Sequence, residues 1–170
     1  MLNLAGITED SIVDGPGIRT TFYCQGCPHH CPGCHNPETW DFSGGTPMEE
    51  ERLVKIVESN PLCHGVTFSG GEPFSQAAGY AKLARLLKEK GYEVASYSGY
   101  TFEELLNGTE DQRELLRQLD VLIDGPFLLS ERSLELNFRG SRNQRVLNVP
   151  ESLGEGRAVA ETSGRWLGTY

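Results

Sequence analysis

Four of the five cysteines fall within eleven residues, at 24, 27, 31 and 34, in the stretch FYCQGCPHHCPGCHNPETW (22–40). Three chemistries compete for them. Thiols packed as small hydrophobes are not normally clustered with Pro, Gly, His and Gln in a polar loop. A four-cysteine zinc site usually draws on two C-x2-C pairs separated by roughly fifteen residues. Here three residues separate the pairs (C-x2-C-x3-C-x2-C), so one tetrahedral ion would have to be wrapped very tightly. Soft thiolates on a short loop suit an iron–sulfur cluster, and Pro32 and Gly33 let the chain curl around it. The ferredoxin run C-x2-C-x2-C-x3-C-P is not matched. Cys27, Cys31 and Cys34 do form C-x3-C-x2-C. Three thiolates can hold three irons of a cubane and leave the fourth iron open to a non-protein ligand, an arrangement suited to catalysis.

The elements that must position this loop read as follows. IRTTFYC (18–24) is a strand ending at the cysteines, and GVTFS (65–69), YEVASYS (92–98), DVLIDG (120–125) and RVLNV (145–149) are further strands. Between them GTPMEEERLVKIVESNP reads as a helix, with Thr46 as cap, Pro47 at its first position and Glu49 completing a capping box. SQAAGYAKLARLLKEKG is a second helix stopped by Gly91. A third begins at Thr101 and Glu104, breaks at Asn107-Gly108 and resumes in DQRELLRQL. Alternating strands and helices imply an α/β fold with a parallel sheet. A complete eight-stranded barrel typically needs about 250 residues, so an open, partial barrel or a doubly wound sheet remains. No linker divides the chain. It reads as one domain, 1–150, with a loosely held Gly-rich tail, 151–170.

Unusual residues follow each of the first four strands: the cysteines, then GGE, then SYSG, then Asp124-Gly125. Sites in parallel α/β folds form at the carboxyl edge of the strands, so these ends are expected to converge on one site. The formal charge of −9 argues against a nucleic-acid or anionic-membrane binder. No run of apolar residues is long enough to span a membrane. The acidic start MLNLAGITEDSIVDG lacks the features of a secretory signal, and five cysteines are an odd number. Both point to a reducing, cytoplasmic compartment.

CPHHCPGC resembles the signature of the radical S-adenosylmethionine (SAM) enzymes. DGPGIR (14–19), QGC (25–27) and CHNPETW (34–40) look like the glycyl-radical-enzyme activating proteins. SGGEPF (69–74), SYSGYTFEEL (96–105), DVLIDGPF (120–127) and RGSRNQRVLN (139–148) are similar to the subfamily that activates anaerobic ribonucleoside-triphosphate reductase. The resemblance implies a partial, open (βα) radical SAM barrel with a parallel sheet of about five to six strands. It implies a [4Fe-4S] cluster on Cys27, Cys31 and Cys34 that binds SAM at its open iron. One electron from a flavodoxin- or ferredoxin-like donor would cleave SAM, and the resulting 5′-deoxyadenosyl radical would take a hydrogen atom from a glycine of the reductase. Gly33, His35 and Asn36 would border the adenosine; many members have an aromatic where this chain has Gly33, which leaves backbone contact there. Gly70, Gly71 and Glu72 would hold the methionine ammonium, with Glu72 either orienting it or bracing the loop.

Ser96 and Ser98 are candidates for the methionine carboxylate or the ribose, against a reading as ordinary turn hydroxyls. Asp124 stands where related activators carry an acidic residue near SAM, although an Asp-Gly turn also explains it. Arg139, Arg142 and Arg145 form a basic island suited to recognising the partner or its anionic groups, against a plain solvated loop. Asp14, Gly15, Pro16, Gly17 and Arg19 look like a loop beside the site. His29 and His30 would stand behind the thiolates. Cys24 and Cys63 receive no ligand role.

Overall fold

The apolar and β-branched runs settle into strands and the amphipathic runs into helices, as the computed structural model shows for residues 1–168. In chain order these are β1 (Leu2–Ser11), β2 (Arg19–Cys24), β3 (Thr46–Met48), α1 (Glu50–Glu58), β4 (Gly65–Gly70), α2 (Ala77–Glu89), β5 (Glu93–Tyr97), α3 (Phe102–Leu106) and α4 (Glu110–Gln118). They are followed by β6 (Val121–Asp124), β7 (Arg145–Asn148), α5 (Val149–Glu155) and α6 (Gly164–Leu167). One seven-stranded sheet runs in the order β3-β1-β2-β4-β5-β6-β7. Its centre, β2-β4-β5-β6, is parallel. Antiparallel strands flank it on both sides.

Strand alternation decides between the two architectures left open by the sequence. Phe22, Val66, Phe68, Val94 and Leu122 point to one face, where they share a core with Leu53, Tyr80, Leu83, Phe102, Leu115 and Val149 of α1 to α5. Ala95, Val121 and Ile123 point to the other face, which Trp166 of α6 covers. The main helices therefore lie on one side, and the parallel strands follow chain order without reversal. This is an open barrel wall; a doubly wound sheet needs helices on both faces and a reversal of strand order.

Two strands went unread in the sequence. β1 is mostly exposed along its second half, so it lacks a sustained apolar face. β3 takes Thr46 and Pro47 into an edge pairing with β1, where a proline costs little. Glu49 is instead the residue preceding α1, and no side-chain cap forms there; the capping box expected from Thr46 is absent. The two boxes that do form are Thr101 with Glu104 and Thr109 with Gln112. Thr109→Ala should cost about 1 kcal/mol in chemical denaturation, with no change in the denaturant slope.

The tail is held more firmly than its composition suggests. Asn148 donates to the Val159 carbonyl at 2.9 Å and Glu161 to that of Val146 at 2.9 Å. Trp166 is 2% exposed and lies over the Arg19 guanidinium at 5.3 Å. Residues 169 and 170, the end of the expected tail, lie outside the described residues. No helix among the described residues is long and apolar enough to cross a membrane.

Candidate functional site

At the carboxyl edge of β2, β4, β5 and β6 the four strand ends do converge, on a cleft of about 540 Å3. That volume suits a small-molecule ligand. The cysteine loop forms one wall. Its base is closed by backbone bonds from Gly26 N to Thr39 O (2.7 Å) and from Cys27 N to Trp40 O (3.2 Å). A short 3-10 turn at Pro37–Thr39 folds the chain back to make this possible. Buried Gln25 adds bonds from Nε2 to the Asp41 and Glu38 carbonyls, at 2.6 and 3.3 Å. QGC and CHNPETW are thus the two ends of a clasp.

Cys27, Cys31 and Cys34 all line the cleft. Cys24 does not: its side chain turns to the helix-facing core. There Gln76 Nε2 donates to its sulfur at 3.2 Å, and its thiol faces the Glu72 carbonyl at 3.4 Å. Burial pushes the Cys24 thiol up to about 12, so it remains protonated. Burial also raises Cys27, a shift that a positively charged metal centre beside it would oppose. Among the described residues, the one trio of metal-ligating side chains whose donor atoms gather within 4.8 Å is Glu49, Glu50 and Glu51. Cys27, Cys31 and Cys34 are not such a trio. Three soft donors spaced along one wall fit a multi-iron cluster. Cys63 is buried at the other end of β4, with its thiol donating to the Gly65 carbonyl at 3.1 Å.

His35, Asn36, Gly70, Gly71 and Ser98 also line the cleft. Gly33 sits exposed at the loop tip, off the cleft wall. Gly71 has a backbone reason to be glycine. Its N–H bonds the Cys24 carbonyl at 2.7 Å, and a Cβ there would stand 2.3 Å from the Gly26 carbonyl oxygen. Gly71→Ala should therefore push the two loops apart and cost about 1 to 3 kcal/mol, read by thermal or chemical denaturation.

Glu72 is fully buried, and its carboxylate accepts from four donors. These are His29 Nε2 (2.7 Å), Ser98 Oγ (3.0 Å to each oxygen), Gly99 N (2.8 Å) and Phe74 N (3.0 Å). Of the two roles open to it, the geometry matches the brace. Ser96 lies off the cleft, its hydroxyl donating to the Tyr97 carbonyl at 2.9 Å.

Asp124 is likewise engaged elsewhere. Buried at 1% exposure, it accepts from Phe102 N at 2.7 Å and pairs with Arg145, which also reaches Glu103. Arg139 is on the cleft wall, but donates to its neighbour, the Gln144 carbonyl, at 2.9 Å. Asn143 and Gln144 tie the long β6–β7 excursion back to the Pro126 and Gly125 carbonyls, at 2.7 and 3.1 Å. RGSRNQR is therefore in large part a cross-tie, with Arg142 exposed. Asp14 lines the cleft and accepts from Ser11 Oγ and Thr21 Oγ1 at 2.5 and 2.9 Å. Sequence reasoning missed Tyr23 and Tyr97, which also line the cleft. Their one signal was alternation along β2 and β5, which turns them to the face opposite the helices.

Residues 13–147 match the family model described as a 4Fe-4S single cluster domain. The chain is similar to the anaerobic ribonucleoside-triphosphate reductase-activating protein of Vibrio cholerae, 34% identical over 143 residues (79% of this chain, 90% of that one). It is also similar to the protein of that name from Pasteurella multocida, 35% identical over 154 residues (85% of this chain, 96% of that one). The chain belongs to the family of anaerobic ribonucleoside-triphosphate reductase-activating proteins. Members of this family are activating enzymes of the radical SAM type, and the match to the cluster domain includes the whole cysteine loop. The pyruvate formate-lyase-activating enzyme of Clostridium pasteurianum is 39% identical over 119 residues, 65% of this chain and 50% of that one. The similarity to activating proteins named for the reductase extends over nearly their whole length; that to the pyruvate formate-lyase activator covers half of it.

Proposed function

We propose that this chain activates anaerobic ribonucleoside-triphosphate reductase by placing a glycyl radical on it, using a [4Fe-4S] cluster held by Cys27, Cys31 and Cys34 and SAM bound beside it. When bound, the cluster and SAM would supply one-electron reductive chemistry that removes a hydrogen atom from the reductase glycine, with methionine and 5′-deoxyadenosine as the products. The observation that carries the reading is that three thiols open on the cleft while Cys24 turns into the core. Three protein ligands leave a coordination position for SAM; four would close the site.

The chain's own residues do the positioning. Cys31 and Cys34 reach the cleft from a loop clasped at its base, and Cys27 sits at the buried end of that loop. Gly70 and Gly71 bring bare backbone to the cleft wall, where polar main-chain groups can meet the methionine end of SAM. His35 and Asn36 face the same space for the nucleoside, and Ser98 offers a turn hydroxyl. Glu72 keeps these walls in register and does not itself reach the ligand. The electron comes from a flavodoxin- or ferredoxin-like protein. A second reading, activation of another glycyl radical enzyme, draws on the 39% match to the pyruvate formate-lyase activator; the shorter coverage of that protein favours the reductase.

Anaerobic reconstitution with iron and sulfide tests the cofactor chemistry. The expected product is a brown protein with about four irons per chain that forms 5′-deoxyadenosine from SAM and a reductant. A colourless protein that takes up one zinc and forms none would overturn it.

A further inference from the structure

The cysteine loop is clasped at its base, but residues 28–35, which carry two of the three cleft thiols, need their own anchor to the sheet edge. Among the described residues a single hydrogen bond joins this segment to the chain outside the loop, from His29 Nε2 to Glu72 Oε1 at 2.7 Å. The segment also packs rings against its surroundings, His30 on Trp40 at 4.6 Å and His35 against Phe127 at 5.2 Å.

The far end of the His29 bond is equally specific. The same carboxylate oxygen accepts from Gly99 N and Ser98 Oγ, so the cysteine loop and the turn after β5 share one acceptor. Ser98 Oγ in turn accepts from Tyr100 N at 3.0 Å. The His29 ring meets Tyr100 edge-on at 4.5 Å. It also lies against Gly99 so closely that a Cβ there would stand 2.5 Å from its Cδ2. His29 itself lines the cleft.

We infer that His29 is a positioning residue for the reaction: through Glu72 it fixes the spacing between the thiol-bearing loop and the Ser98-Gly99 turn, the two walls between which SAM must fit. The inference rests on the function proposed above. Removing the imidazole leaves all three thiols and every clasp bond in place, so the cluster still assembles. What is lost is the orientation of the loop toward the opposite wall. Glutamine can restore it, because its amide N–H can donate to the same oxygen.

The test compares His29→Ala and His29→Gln with the wild type, all reconstituted anaerobically. SAM is titrated against the electron paramagnetic resonance (EPR) spectrum of the reduced cluster, with affinity counted per intact cluster. Amide exchange over residues 25–36 and 98–100 is followed in the metal-free protein. His29→Ala should keep wild-type iron content, need about tenfold more SAM and exchange faster in both segments. His29→Gln should recover SAM affinity to within about threefold and restore protection. Wild-type SAM affinity in His29→Ala would overturn the inference, as would a glutamine variant as impaired as the alanine one or loss of iron from both. If the wild type showed no spectral response to SAM, the proposed function would fail, and exchange in the metal-free protein would still decide whether His29 is the anchor.

Discussion

Replacing Cys31 or Cys34 by serine should abolish cluster assembly, with 5′-deoxyadenosine formation falling by at least about two orders of magnitude, because the cofactor carries the chemistry. A serine hydroxyl is a hard, protonated donor where the iron requires a soft thiolate. Cys27→Ser should behave in the same way. Cys24→Ser is the informative contrast. Its thiol already stays protonated in the core, taking a bond from Gln76. Serine there should cost about 1 kcal/mol of stability and leave iron content near normal. Iron analysis and visible absorbance of the four variants check this together. Loss of iron in all four would make Cys24 a ligand and close the position assigned to SAM.

Arg19→Ala should be the most destabilising change away from the cysteines, by about 3 to 5 kcal/mol in chemical denaturation. The Arg19 side chain is wholly buried and pairs with Glu93 at 2.8 Å. It also donates to Thr67 Oγ1 at 2.9 Å and to the Val66 carbonyl at 3.1 Å, and Trp166 stacks above it. Alanine leaves the half-buried Glu93 carboxylate to the longer Arg165 pair at 3.5 Å and strands two acceptors and the indole. The pair also carries a pH signature. Burial alone would raise Glu93, but the guanidinium outweighs it and holds the carboxyl below its ordinary value of 4.5. A depressed carboxyl contributes stability above its unfolded value and loses it as pH falls through the lower folded one. The wild type should therefore lose stability as pH falls below about 4.5, and Arg19→Ala should lose less over the same range.

Much of this was legible in the sequence because it depends on local spacing. The parallel strands were marked by β-branched and aromatic runs, and the three cysteines that line the cleft by C-x3-C-x2-C. Strand ends gathered at one edge follow from βα winding alone. What could not be read depends on partners distant in sequence. Which of its two roles Glu72 takes cannot be read in SGGEP, because three of its four donors, His29, Ser98 and Gly99, come from two segments that meet it only in the fold. Asp124 and Arg145 likewise cancel each other across 21 residues. Trp166 sits in a Gly-rich tail with no periodicity, and what it packs on, the buried cation and Ala95, Val121 and Ile123, comes from distant strands. β1 escaped notice because half of it faces solvent.

The central claim is that three cleft thiols, with SAM, make a radical generator for the reductase. Its most direct measurement is EPR of the anaerobic mixture of reconstituted chain, SAM, a one-electron reductant and the reductase. A glycyl-radical doublet should appear on the reductase, accompanied by about one 5′-deoxyadenosine per radical formed and absent when Cys31→Ser replaces the wild type. A reductase left without a radical, while the chain holds a full cluster and cleaves SAM, would contradict it.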